Sequence, residues 1–249
     1  MTIVTGWTGL GYQELGEQFI RTFDEFWPND IHVIAIVNVP AFFHGRYLDR
    51  LTTKDAYDCD GLLDFLKRHE GNALYRGKAP HRNWTPNEKR NGYSFRFDAV
   101  KFAPQLFFPE HAAKELPDGD ILTWFDADVL THSKVPVGFI ESLIGDSDLV
   151  YLGRPPRHSE IGFWAVRLND STRKFLTSLA DMYRSDHIFL LSEWHSAFVF
   201  DYVRLRYEMG GMVAKNLTPQ GHSHVWHQSP LCNYTSHLKG KLKWIKRDI

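Results

Sequence analysis

The spacing of apolar residues changes twice within the first forty positions, and the changes predict strand, helix, strand. Ile3-Val4 is a short apolar start. Tyr12, Leu15, Phe19, Ile20, Phe23 and Phe26 then recur mostly three or four apart, which lines one face of a helix. Pro28-Asn29-Asp30 stops that helix. Residues 31–37, IHVIAIV, are broken only by His32, as in a strand buried on both faces. A strand–helix–strand unit containing such a run predicts a parallel sheet.

Residues 40–95 are less regular, with one expected helix near Gly61–Arg68. Gly71–Tyr93 reads as a long loop, and loops of that length often form lids or binding segments. Helical spacing resumes over Phe95–Ala103 and is expected to break at Pro104, with a second helix starting at Pro109. Residues 121–125, ILTWF, predict a strand running directly into Asp126-Ala127-Asp128. Further on, helices are expected near Val137–Ile144, around Phe175–Tyr183 and over Glu193–Glu208, and strands over Asp148–Leu152 and Ile161–Leu168. From Asn216 the tail is rich in His and Lys and poor in periodicity. No repeat or linker is evident, so one α/β domain is the simplest organisation.

Composition narrows the function. The chain has 249 residues, enough for a sizeable core. A net charge of −1 lacks the basic surplus of a general nucleic-acid binder. Cys59 and Cys232 are too few for a disulfide scaffold or a four-cysteine zinc site. No secretory signal and no apolar stretch of membrane-spanning length is seen, so the expectation is a soluble, cytoplasmic domain. Aromatic residues are the compositional oddity at 14%. Trp7, Trp84, Trp226 and Trp244 fall in predicted loops or the tail and Trp194 at the start of a predicted helix, where flat faces would suit a base or sugar ring.

The strongest chemical signal is Asp126-Ala127-Asp128. Side chains two apart on an extended segment share a face, so both carboxylates can meet one point. In open α/β sheets ligands bind beyond the carboxyl ends of strands. Paired carboxylates there suit Mg²⁺ or Mn²⁺, which bridge protein oxygens to substrate phosphates. The second signal is His237-Leu238-Lys239-Gly240-Lys241-Leu242-Lys243. It combines an imidazole ligand, a glycine permitting close backbone approach and compact phosphate-binding charges.

Together the Asp-x-Asp and the later His-x-x-Gly-x-x-Lys resemble glycosyltransferases of the GT-A fold, particularly family eight. The resemblance implies a single Rossmann-like domain with a central mixed, mostly parallel sheet flanked by helices. Residues 1–130 would form a donor-nucleotide half, and residues 131–249 an acceptor half with a metal- and phosphate-binding tail. The implied donor is a nucleotide-diphosphate sugar, most simply a UDP-sugar, with Mn²⁺ (or Mg²⁺) held by Asp126, Asp128 and His237. Thr5 and Gly6 match the first strand and nucleotide loop, and Lys101 with Arg96 match the helix ahead of the Asp-x-Asp strand. Ala127 lies between the carboxylates, Gly162 beside the donor sugar, and Gly240 and Lys243 at the diphosphate. Glu193 and His195 would face the sugar or acceptor as catalytic candidates. The acceptor and the stereochemistry are not specified. Lys243 is followed directly by Trp244 without the family's intervening proline, and Glu193 stands where the family has Asp-Gln-Asp.

Three other readings compete. His222-Ser223-His224-Val225-Trp226-His227 resembles part of a metallo-β-lactamase-like zinc site, with Trp226 in place of its Asp. A nucleotidyltransferase acting on sugar phosphates would also use a carboxylate-bound metal, but Gly6–Gly11 carries no Lys or Arg for a triphosphate. A non-catalytic sugar-nucleotide or carbohydrate-binding module is the third.

Overall fold

The computed structural model describes residues 1–9, 13–38, 49–222 and 224–239. The predicted opening unit forms as β1 (Thr2–Trp7), α1 (Gln13–Phe26) and β2 (His32–Val37). β3 (Leu51–Asp55) has no apolar run and escapes pattern reading, because it is an edge strand with exposed Thr52 and Thr53. α2 (Leu62–His69) lies where a helix was expected, while the 71–93 segment contains an additional short helix, α3 (Pro86–Asn91). A capping box between Thr85 and Glu88 starts α3.

Of the two prolines, Pro109 departs from the expectation. After a short 3₁₀ turn at Phe95–Phe97, the single-turn α4 (Ala99–Phe102) ends just before Pro104 as expected, but the second helix, α5 (Pro104–Ala113), starts at Pro104 itself and takes Pro109 inside it. At the first helical position a missing N–H costs nothing. Inside the helix it does cost, but Leu106, Phe107, Phe108 and Ala112 are all buried, and that burial offsets the lost bond.

The chain continues through β4 (Ile121–Phe125), β5 (Val129–Thr131), α6 (Phe139–Ile144), β6 (Leu149–Arg154) and β7 (Arg157–Arg167). It ends with α7 (Asp170–Arg184), α8 (Ser196–Met209), β8 (Ala214–Asn216) and β9 (Thr235–His237). The helix expected over Glu193–Glu208 begins only at Ser196, capped by His195 in an extended conformation.

The main sheet has the order β3-β2-β1-β4-β7-β6-β8. β7 runs antiparallel to both of its neighbours, and the other pairings are parallel. The architecture is thus a single α/β domain with a mixed, mostly parallel sheet. One face packs Val4, Leu122 and Trp124 against α5, α7 and α8. The other packs Ile3, Ile121 and Phe125 against α1 and α6. Period-two alternation along each strand divides the core in this way. Among the described residues, no helix is long and apolar enough to cross a membrane.

Candidate functional site

The C-terminal ends of β1, β2, β3 and β4 open into a cleft of ≈ 820 Å³. Trp7, Asn38, Tyr57, Lys101 and Asp126 border it. At its sheet end, the backbone N–H of Gly9 donates to Asn38 Oδ1 at 2.8 Å, and Asn38 Nδ2 donates to the Tyr57 hydroxyl at 3.3 Å. Gly6 is on the wall. A Cβ there would lie 2.4 Å from the Ile36 carbonyl oxygen and 2.5 Å from the Phe108 ring, so only glycine lets β1 and α5 approach this closely.

The two carboxylates converge through a turn, not along an extended strand as expected. β4 ends at Phe125, and the Asp126 N–H makes a last bond to the Gly162 carbonyl at 3.0 Å. The Val129 N–H then donates to the Asp126 carbonyl at 3.0 Å, reversing the chain into β5. β5 pairs antiparallel with β9, with Val129 opposite His237, and the Leu238 N–H donates to the Asp128 carbonyl at 3.0 Å. This two-stranded ladder carries the tail histidine to the aspartates.

His237 Nε2 lies 3.0 Å from Asp128 Oδ1 and 3.8 Å from Asp126 Oδ2. Each residue offers one ligand atom, and the three lie within 4.8 Å of one another. An octahedral ion with bonds of about 2.1 Å holds neighbouring ligands about 3.0 Å apart, so the set fits a divalent cation. Two carboxylates with one imidazole suit Mn²⁺, with Mg²⁺ as the harder alternative. Burial, followed by the Asp128 charge, pushes the Asp126 carboxyl up to about 6. Burial opposes the charge on His237, but Asp128, Glu160 and Asp126 outweigh it and raise the imidazole above its ordinary range. Buried carboxylates this close repel, and a cation between them would relieve that repulsion.

Supporting residues fix these ligands. Trp124 Nε1–H and Gln105 Nε2–H both donate to Asp126 Oδ1 at 3.0 Å, leaving Oδ2 on the His237 side. Glu160, buried in β7, places Oε1 3.6 Å from His237 Nδ1 and is also paired with Lys239 and Arg154. Burial would raise the Glu160 carboxyl, yet His237, Lys239 and Arg154 hold it below the usual range. Gly162 lies directly under the imidazole: a Cβ there would sit 2.5 Å from His237 Cε1. Gln105 belongs to no local motif, whereas Glu160 stands two residues before Gly162, in the segment that the resemblance sets beside the donor sugar. Trp124 did carry a signal, since it stands two residues before Asp126 at the end of a strand.

The other expected positions fall elsewhere. Lys101 is exposed at the cleft, and Ala127 is buried on its edge. Thr5 is fully buried in β1, because it precedes by one residue the strand end that reaches the cleft. Arg96 makes a bidentate pair with Glu88 at 2.9 Å and a 3.2 Å bond to Glu193, and does not border the cleft. Glu193 and His195 group with His158 rather than with Asp126, Asp128 and His237. Gly240, Lys243 and Trp244 lie outside the described residues.

Trp7, Trp84, Trp194 and Trp226 are all buried, which corrects the expectation of open aromatic platforms, and of the four only Trp7 borders the cleft. Trp7 is explained by Gly16, whose absent side chain leaves room for the indole. His222, His224 and His227 enter no three-ligand group among the described residues, so the zinc-hydrolase pattern is not assembled there.

Comparison of the sequence with models of known families finds no match, and comparison with curated proteins finds none. The fold is similar to apo mouse xyloside xylosyltransferase 1, with a TM-score of 0.47 over 87% of this chain and 85% of that one, at 8% identity. At that identity the likeness assigns no residue of this chain a role.

Proposed function

We propose that the chain is a metal-dependent glycosyltransferase using a nucleotide-diphosphate sugar, most simply a UDP-sugar, with Asp126, Asp128 and His237 as the metal ligands. The carrying observation is the convergence of Asp126 and Asp128, which border a cleft formed by strand ends, with a tail histidine, His237. The residues match the Asp-x-Asp and His-Gly-Lys motifs that prompted the resemblance. A bound Mn²⁺ or Mg²⁺ would supply Lewis-acid stabilisation of the charge that grows on the departing nucleoside diphosphate.

The chain's own residues prepare that site. Trp124 and Gln105 orient Asp126. Glu160 favours a proton on His237 Nδ1, which leaves the Nε2 lone pair for the metal. Lys101 adds positive charge for the phosphates, to which Gly240 and Lys243 would add donors. Gly6 and Ala127 line the donor side of the cleft, and Thr5 supports it from inside β1. Gly162 supports the metal histidine, and through it the donor. Glu193 and His195 serve the sugar or acceptor side. In this reading residues 1–130 supply the donor half and residues 131–249 the acceptor half.

The test is a thermal-shift screen of uridine, guanosine and cytidine diphosphate sugars with Mn²⁺, followed by assay of nucleoside diphosphate release. A donor at a hundred times its Kd stabilises by about 2.7 kcal/mol. Asp128→Ala should abolish both the Mn²⁺-dependent shift and the release. Activity near wild type in Asp128→Ala would sink the assignment. Donor binding without release would identify a binding module, and pyrophosphate release from a nucleoside triphosphate plus a sugar phosphate would identify a nucleotidyltransferase.

A further inference from the structure

The loop entering α8 assembles a second ligand group away from the cation site above. Glu193 Oε2 lies 2.9 Å from His195 Nε2 and 3.5 Å from His158 Nε2. All three ligand atoms fall within 4.8 Å of one another. A tetrahedral Zn²⁺ with bonds of about 2.0–2.1 Å holds its ligands about 3.4 Å apart, so both spacings are close to what one ion requires. We propose that His158, Glu193 and His195 form a second, zinc-type metal site with one coordination position left open.

The surroundings agree with this. Arg96 occupies the other carboxylate oxygen of Glu193, at 3.2 Å from Oε1, and so turns Oε2 towards the histidines. Asp201 stands behind His158, 4.0 Å from Nδ1, and is itself fixed by the N–H and hydroxyl of Ser159. A carboxylate behind a ligating histidine sets its tautomer and orientation. The rings are held by packing: His195 lies 5.3 Å from Phe95 and 6.0 Å from Phe102, and His158 lies 5.1 Å from Phe198. Glu88, Glu193 and Asp201 outnumber the guanidiniums paired with them, Arg96 and Arg204, so the locality tolerates added positive charge. The His158 side chain is 36% exposed, which provides an entry path. Two imidazoles and one carboxylate with an open position are a donor set that zinc favours over magnesium.

A hydrogen-bond chain connects the two sites. Ser196, next to His195, donates to Gln105 Oε1, and Gln105 donates to Asp126. The second site rests on its own three residues, not on the transferase reading, and these hydrogen bonds join it to the first.

The experiment uses the full chain carrying Asp126→Asn and Asp128→Asn, so that the first site is disabled whatever its role. Zn²⁺ is titrated calorimetrically, and Co²⁺ is used as a visible-absorption probe of tetrahedral coordination. One equivalent of each should bind, and Co²⁺ should show intense tetrahedral bands. Adding Asp201→Asn should weaken binding about 10–100-fold. Adding His158→Ala at the half-exposed ligand should weaken it at least as much. Should His158→Ala fail to fold, His195→Gln and a zinc-edge anomalous peak among the three residues decide the question. No stoichiometric ion in the doubly substituted chain, or unchanged affinity in the folded His158 or His195 variant, overturns the proposal.

Discussion

Replacing Gly162 by alanine would place one methyl group against the ring of His237. The added Cβ would lie 2.5 Å from Cε1, 2.8 Å from Nδ1 and 3.2 Å from Nε2, whereas ordinary contact starts at 3.4 Å. Gly162 is within β7 and its φ is not left-handed, so the backbone itself accepts alanine. The imidazole must therefore retreat by about 1 Å, twice the roughly 0.5 Å tolerance of a preorganised site. Its side chain is only 5% exposed, which leaves little room to move without losing Asp128 at 3.0 Å. Disturbing the shell that orients a metal ligand costs about 10–100-fold in affinity, or about 1.4–2.7 kcal/mol. Overpacking should separately destabilise the fold by about 1–3 kcal/mol. Calorimetric titration with Mn²⁺ reads the first effect, and the Tm without metal reads the second. Gly71→Ala is the control, since no atom lies within 4 Å of its added Cβ, and it should leave affinity unchanged. A folded Gly162→Ala protein with wild-type Mn²⁺ affinity would refute His237 as a ligand in the position described.

Other consequences are open to measurement. Gln105→Leu removes donation to Asp126 Oδ1 and should lower Mn²⁺ affinity about 10–100-fold by calorimetry; equal affinity would show that Asp126 needs no such support. The hydrogen bonds from Arg96, opposed by burial, hold the Glu88 carboxyl down at about 2. Because this folded value is depressed, its stabilisation is present above the unfolded value near 4.5 and is lost as pH falls towards 2. The Tm difference between wild type and Glu88→Gln should accordingly shrink between pH 7 and pH 2, and a constant difference would contradict the ion pair's role. Burial, then the Glu110 charge, pushes the Cys59 thiol up to about 12. At pH 8, alkylation followed by mass spectrometry should modify the half-buried Cys232 first and Cys59 only on unfolding.

What short-range spacing determines was legible in the chain. The three- and four-residue recurrence of α1, the apolar run of β2 and the run of β4 into Asp126 depend on hydrogen bonds and burial patterns spanning a few residues. These short-range patterns alone place the Asp-x-Asp at a strand end. Single-residue punctuation was less informative, because the meaning of a proline depends on its position in a helix. Pro104 opens α5 and Pro109 is tolerated inside it by burial.

The motifs name Asp126, Asp128 and His237, but only tertiary structure decides how these and the surrounding side chains meet. His237 reaches Asp128 because β9 pairs in register with β5, a ladder between segments of three residues each that carry no alternating pattern. Glu160 and Gly162 face the imidazole because β7 runs back alongside β4. His158 joins Glu193 and His195 across a sheet-to-helix contact that no spacing encodes. The tryptophans show the converse: their positions along the chain suggested exposed platforms, yet packing buries Trp7, Trp84, Trp194 and Trp226. Periodicity reports which face of an element is apolar, while strand register and packing decide which distant side chains share that face.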